Sequence, residues 1–117
     1  MKFSIFFEMQ IADPTAAKEA QTFHDCLEQS VFADELGYHC VWEVEHHGLY
    51  EYSHSSAPEV FLSFVAAKTK RIRVGHGVTL LTFFHRAPEL PKFIEGIRVI
   101  QERLGAHEIR IRHPPGS

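Results

Sequence analysis

Two carboxylates and two imidazoles end the short apolar run Cys40-Val41-Trp42-Glu43-Val44-Glu45-His46-His47. Ionisable groups at the end of a buried strand are costly unless they are paired or used. In parallel α/β folds, that end of a strand is where chemistry is done. An imidazole titrates near neutrality, with an unperturbed pKa of about 6.5, so His46 is a candidate proton donor or acceptor. A structural role, as a histidine hydrogen-bonded at a strand end, stays open. If the strand runs on, Trp42, Val44 and His46 share one face, and Glu43, Glu45 and His47 the other. Glu45 could orient His46, satisfy a neighbouring backbone donor or sit in an internal ion pair. His and carboxylate ligands also suit divalent metals. Neighbours on a strand point apart, however, and spacing alone is thin evidence, so no metal ligand is assigned.

The elements that would position these groups can be read from patterning. Residues 3–9 are apolar and aromatic, and their number suits a buried strand. Asp13-Pro14 reads as an N-cap followed by a proline in the first helical turn. Over 15–36, Phe23, Cys26, Leu27, Ser30 and Ala33 make a helical stripe with Val31 at its edge. Gly37 follows where a left-handed C-cap residue is wanted. Residues 38–44 form a second strand and 45–57 a loop, in which His54 reads as surface-exposed or ligand-facing. Pro58 starts a second helix whose stripe is Phe61, Leu62, Val65, Ala66 and Thr69, with Lys68, Lys70 and Arg71 at its C-terminal end. Residues 72–81 form a third strand interrupted by Gly75 and Gly77. Strands alternating with helices imply a parallel sheet with right-handed crossovers. Trp42 reads as core. After Thr82 the pattern weakens. A further helix is expected over 91–104, with Phe93, Ile94, Ile97, Ile100 and Leu104 as its stripe, followed by a disordered tail or lone edge strand.

Composition narrows the classes. The chain has 117 residues, 44% hydrophobic and 23% charged, which suits one globular domain. No apolar run reaches the ~18 residues of a membrane span, and the N-terminal apolar run is too short for a signal peptide. A cytoplasmic location is expected. Cys26 and Cys40 lack metal-type spacing and read as buried free thiols. The net charge of −3 hides an asymmetry. Residues 1–60 hold two lysines against eleven carboxylates, a balance of −9, and residues 61–117 hold ten Lys or Arg against four Glu, a balance of +6. The basic half could meet the acidic half or an anion such as a phosphate. Its cations are scattered and the Phe residues among them read as core, so nucleic acid is not an expected partner.

Several motifs occur in a fixed order. Met1-Lys2-Phe3 opens the first strand, and Ala33-Asp34-Glu35-Leu36-Gly37-Tyr38 enters the second. Trp42-Glu43-Val44-Glu45-His46-His47 follows, then 58–65, Ala66-Ala67-Lys68-Thr69-Lys70-Arg71-Ile72-Arg73-Val74-Gly75 and Gly77-Val78-Thr79-Leu80. This series resembles the luciferase-like flavin-dependent monooxygenases over roughly residues 1–82. The resemblance implies a (β/α)₈ TIM barrel, of which this chain would supply about three parallel strands as βαβαβ; whole barrels need ~250 residues. It implies an enzyme using reduced FMN and O₂ to oxygenate a small organic substrate. It makes His46 the catalytic acid or base with Glu45 beside it. It makes Gly77 and Val78 flavin-facing, with a cis peptide bond between them. After Leu81 the chain departs from the family pattern, so residues 83–117 read as a divergent tail of a truncated or frameshifted copy. Flavin binding by three strands alone is expected to be weak or absent. The alternative is a non-enzymatic half-barrel exposing Phe3, Ile5, Val41, Val78 and Leu80. Such a surface would form a homo-oligomer or hetero-oligomer with a luciferase-like partner.

Overall fold

The computed structural model describes residues 1–78 and Leu80. The elements are β1 (Ser4–Phe7), α1 (Ala16–Glu35), β2 (Cys40–Glu43), α2 (Pro58–Lys68) and β3 (Arg73–His76). The three strands form one parallel sheet in the order β1-β2-β3. The described chain is thus a βαβαβ unit with a parallel sheet, as the alternation of strand and helix implies. The helix expected over 91–104 and the tail expected from 83 onward lie outside the described residues.

Register decides what each side of the sheet does. Ile5, Val41 and Val74 are aligned across the strands, as are Phe7, Glu43 and His76. Side chains alternate along a strand, so these six share one face. Phe7, Val41 and Val74 join Cys26, Ala33, Phe61, Leu62, Val65 and Ala66 in a single core, so both helices cover that face. Ser4, Cys40 and Arg73 begin the opposite face, and Phe6, Trp42 and Gly75 continue it. On this second face Phe6 is 54% exposed. Val41 is fully buried and Ile5 packs against the core, contrary to the expectation that a half-barrel would expose them. The register turns both toward the helices, and Phe6 and Trp42 line the uncovered side instead.

Helix α1 starts two residues later than expected. Its N-cap is Thr15, whose Oγ1 accepts the Lys18 N–H at 3.2 Å. Asp13 does not cap it; Asp13 sits at φ 48°, with its carbonyl held by Lys18 Nζ. The aliphatic lysine reaches back to satisfy the Ala12 and Asp13 carbonyls that precede the helix. The C-terminus behaves as the sequence indicates. Gly37 takes φ +79°, and Tyr38 N–H and Gly37 N–H return to Ala33 O and Asp34 O. Those two bonds close the Schellman pattern that glycine permits. Pro58 begins α2 at its first turn.

Asp34 joins the first helix to the third strand. It is buried, and its carboxylate accepts the backbone N–H groups of Lys70, Arg71 and Ile72 at 2.9, 2.9 and 2.6 Å. Burial pushes its pKa up, but these three bonds and the Arg71 charge outweigh that and hold it below the usual value. Cys26 and Cys40 are free and buried. Burial, with Glu43 and Asp25 nearby, pushes the Cys26 thiol up to about 12, which makes it inert.

Candidate functional site

The carboxyl-terminal ends of the three strands lie side by side, and each is followed by polar or glycine-rich chain. β1 runs into Glu8, β2 into Val44-Glu45-His46-His47, and β3 into Gly77-Val78. Backbone bonds knit these exits together: Val44 N–H reaches Phe7 O at 3.5 Å and Gly77 N–H reaches Glu43 O at 2.7 Å. β2 ends at Glu43, so strict alternation stops there and does not govern residues 44–47.

His46 stands on this rim, as its place after β2 requires. Its Nε2 lies 3.6 Å from Glu8 Oε2, and about 30% of each side chain is exposed. The Tyr52 ring meets the imidazole edge-on, with centroids 5.2 Å apart. The His46 N–H donates to Ser55 O at 2.8 Å, which fixes the backbone below the ring. A half-exposed imidazole beside a carboxylate can hold or release a proton at Nε2. Glu8 and Tyr52 were not singled out from the sequence. Their contact with His46 crosses from β1 and the loop, and no local spacing reveals it.

Glu45 does not orient His46. Its Oε1 meets His47 Nε2 at 2.9 Å, and its Oε2 accepts the Leu80 N–H at 2.7 Å. It is therefore the hydrogen-bond partner of His47 and a clamp between the exits of β2 and β3. Among the described residues no group of three His, Cys, Asp or Glu converges as a metal site. Glu43 in particular does not join Glu45 and His47, because it turns into the core.

Glu43 is fully buried, and neither carboxyl oxygen has a hydrogen-bond partner. Burial pushes its pKa up to about 8. Ser55 lies beside it and moderates that rise, and the Glu8 charge adds to it. The Ser55 hydroxyl, however, has one proton, and it is donated to Val44 O at 2.6 Å. His76, aligned with Glu43 on β3, has its pKa lowered by burial, partly offset by Glu45.

Gly75 and Gly77 shape the uncovered face. A Cβ on Gly75 would lie 2.5 Å from Trp42 Cζ3, and one on Gly77 would lie 2.9 Å from Phe6 Cε2. Only glycine leaves room for the two rings to lie across β3 and its exit. No cis peptide bond occurs among the described residues, so the bond between Gly77 and Val78 is trans, contrary to expectation. Trans is the default of the amide. Trp42 is half-buried on this side rather than core.

The loop over 45–57 is tied down rather than free. The His54 side chain is buried rather than surface-exposed, 6% accessible. Its Nδ1 meets Glu19 Oε1 at 2.6 Å, its Nε2 meets Tyr50 O, and its N–H donates to Met9 O at 3.0 Å.

Two aromatic rings on the uncovered face, at the end of the sheet that leads to His46, are suited to contact with a planar, partly apolar ring such as a flavin. The glycine-dependent placement of Phe6 and Trp42 is the observation that bears on this fit.

Known proteins share this arrangement. Residues 1–88 match the family model described as luciferase-like monooxygenase. The N-acetyl-S-alkylcysteine monooxygenase of Bacillus subtilis is 38% identical over 80 residues, covering 65% of this chain and 24% of that protein. The oxygenase component of the flavin-dependent trigonelline monooxygenase of Acinetobacter baylyi is 34% identical over 88 residues, covering 73% of this chain and 23% of that protein. The crystal structure of the monooxygenase RslO1 from Streptomyces bottropensis superposes with a TM-score of 0.77 at 28% identity, covering 98% of this chain and 34% of that one. The chain thus spans about a quarter of the length of these curated relatives. Among the described residues no helix is long and apolar enough to cross a membrane.

Proposed function

The chain belongs to the luciferase-like monooxygenase family, and on that premise we propose that it carries the His46 wall of a flavin site. The reaction is oxygenation of a small organic molecule by O₂ with reduced FMN. The single observation that supports this most is the place of His46: after β2, at the carboxyl-terminal rim of a parallel sheet, between Glu8 and Tyr52.

When bound, reduced FMN would supply the electrons that activate dioxygen. The chain's own residues do the rest of the work on this side. Phe6 and Trp42 offer aromatic area to a planar ring and keep water from it. Gly77 and Val78 would help hold the ring through their backbone. His46 exchanges a proton at Nε2, the ring atom that lies 3.6 Å from Glu8 Oε2. Glu45 does not touch the reacting atoms in this reading; it holds the Leu80 N–H and His47, and so keeps the exits of β2 and β3 together. The site is completed by strands beyond these three, because a barrel closes its active site with loops from many strands. Binding of FMN by this chain alone is therefore weak.

Titration of reduced FMN into the isotopically labelled chain, followed by amide NMR, tests the proposal. Shifts should cluster on Phe6, Trp42, His46 and Gly77, with an affinity weaker than micromolar. Shifts confined to the helix side would overturn the site. Micromolar affinity with turnover by a monomer would overturn the need for further strands.

A second reading has its own observation. Between α1 and α2 an apolar groove of about 590 Å³ is lined by Phe23, Leu27, Val60, Phe61 and Phe64. Val60 and Phe64 are 68% and 52% exposed. Apolar surface of this kind favours association with a second copy or a related chain. Sedimentation equilibrium decides it: a monomer at every concentration ends this reading and leaves the first untouched.

A further inference from the structure

Glu43 has no part in the chemistry proposed above, yet it is the least satisfied group in the described structure. It is fully buried at the carboxyl end of β2, with neither oxygen partnered. A buried carboxylate in that condition is expensive, and the neutral acid is the form it tolerates. The groups that face it come from every neighbouring element. Glu8 after β1 adds negative charge. Cys26 of α1 is a neutral thiol. His76 of β3 is its register partner, with burial disfavouring the imidazolium. None of these offers a compensating charge. Ser55 is the hydroxyl beside it.

Ser55 is also what holds His46. Its hydroxyl closes onto Val44 O at 2.6 Å, and its carbonyl receives the His46 N–H at 2.8 Å. One hydroxyl proton cannot serve Val44 O and a carboxylate together. We infer that Glu43 and Ser55 form a carboxyl–hydroxyl latch that positions His46. With Glu43 neutral, the hydroxyl stays on Val44 O and the segment is closed. With Glu43 ionised, its proton passes to solvent base, the hydroxyl turns to the carboxylate, Val44 O loses its partner and the His46 segment loosens. Both are positioning residues. The inference rests on the reading of His46 as the proton-exchanging group, but the latch itself is read without flavin.

The experiment uses the full chain. The Glu43 side-chain carboxyl is titrated by carbon-13 NMR, and hydrogen exchange of the His46 amide, corrected for its intrinsic base catalysis, is followed over the same pH range. Glu43 should titrate near 8, and His46 protection should fall about tenfold with the same midpoint. Glu43→Gln should keep protection flat with pH. Ser55→Ala should show the lower protection at every pH. The inference is overturned if Glu43 titrates in the ordinary carboxyl range, if His46 protection stays flat while Glu43 titrates, or if Glu43→Gln keeps the wild-type midpoint. Should Glu43→Gln fail to fold by circular dichroism, the two wild-type curves decide the matter alone. Loss of flavin binding would leave either outcome readable, because neither curve needs the cofactor.

Discussion

At the amino-terminal end of the sheet Asp34 is a buried carboxylate with three backbone N–H donors; at the carboxyl-terminal end Glu43 is a buried carboxyl with none. The fold treats the two ends differently. Asp34 is charged and satisfied, and it ties α1 to the chain entering β3. Glu43 has its charge suppressed and sits under the rim where His46 stands. In barrels of this type one end serves stability and the other serves chemistry. The contrast between these two acids follows the same polarity within three strands: one end is tied by satisfied bonds and the other is not.

The largest expected effect breaks the stable end. Asp34→Ala removes the acceptor for three N–H groups, and bonds to a charged group are each worth ~1.5–3 kcal/mol. A loss of roughly 4 kcal/mol is expected, read from the urea midpoint. A loss below about 1 kcal/mol would show that the two acids do not differ in kind.

The next sharpens the other end. Glu43 has its folded pKa raised from 4.5 to about 8, so the native state holds a proton that the unfolded chain releases. The Glu43 contribution to stability is then fully present below about 4.5 and is lost as pH rises toward 8. Glu43→Gln should remove that slope, and near pH 8 it should gain up to about 4 kcal/mol over wild type. Parallel wild-type and variant curves between pH 5 and 8 would mean that Glu43 is ionised throughout, like Asp34.

The smallest concerns the uncovered face near Gly75. Gly75→Ala puts a methyl group 2.5 Å from the Trp42 ring. Displacing the ring should cost about 1–2 kcal/mol. The chain has one tryptophan, so its emission reports the displacement directly. Unchanged emission and stability would show that this face yields freely, unlike the helix-covered one.

What the sequence made legible was local. The helical stripe of Phe23, Cys26, Ser30 and Ala33, the left-handed Gly37 and the start of α2 at Pro58 all depend on neighbours within a turn or two. Asp13 and Thr15 are both good caps, so local sequence does not separate them, and the reach of Lys18 to the Ala12 and Asp13 carbonyls carries no pattern. The site was half legible. His46 is at the strand-end rim that its position implies. Its neighbours Glu8 and Tyr52, the pairing of Glu45 with His47 and the anchoring of His54 were hidden, since each joins side chains through the fold rather than along a period. The faces of Ile5 and Val41 were inverted because alternation gives two sets, not which set the helices cover.

His54 has one further consequence. Its ring grips Glu19, thirty-five positions earlier in the chain, and the Tyr50 carbonyl at the same time. The first turns of α1 and the segment bearing Tyr52 and Ser55 therefore travel as one piece. Removing that one ring would release the front of the helix and the rim loop from each other in a single change.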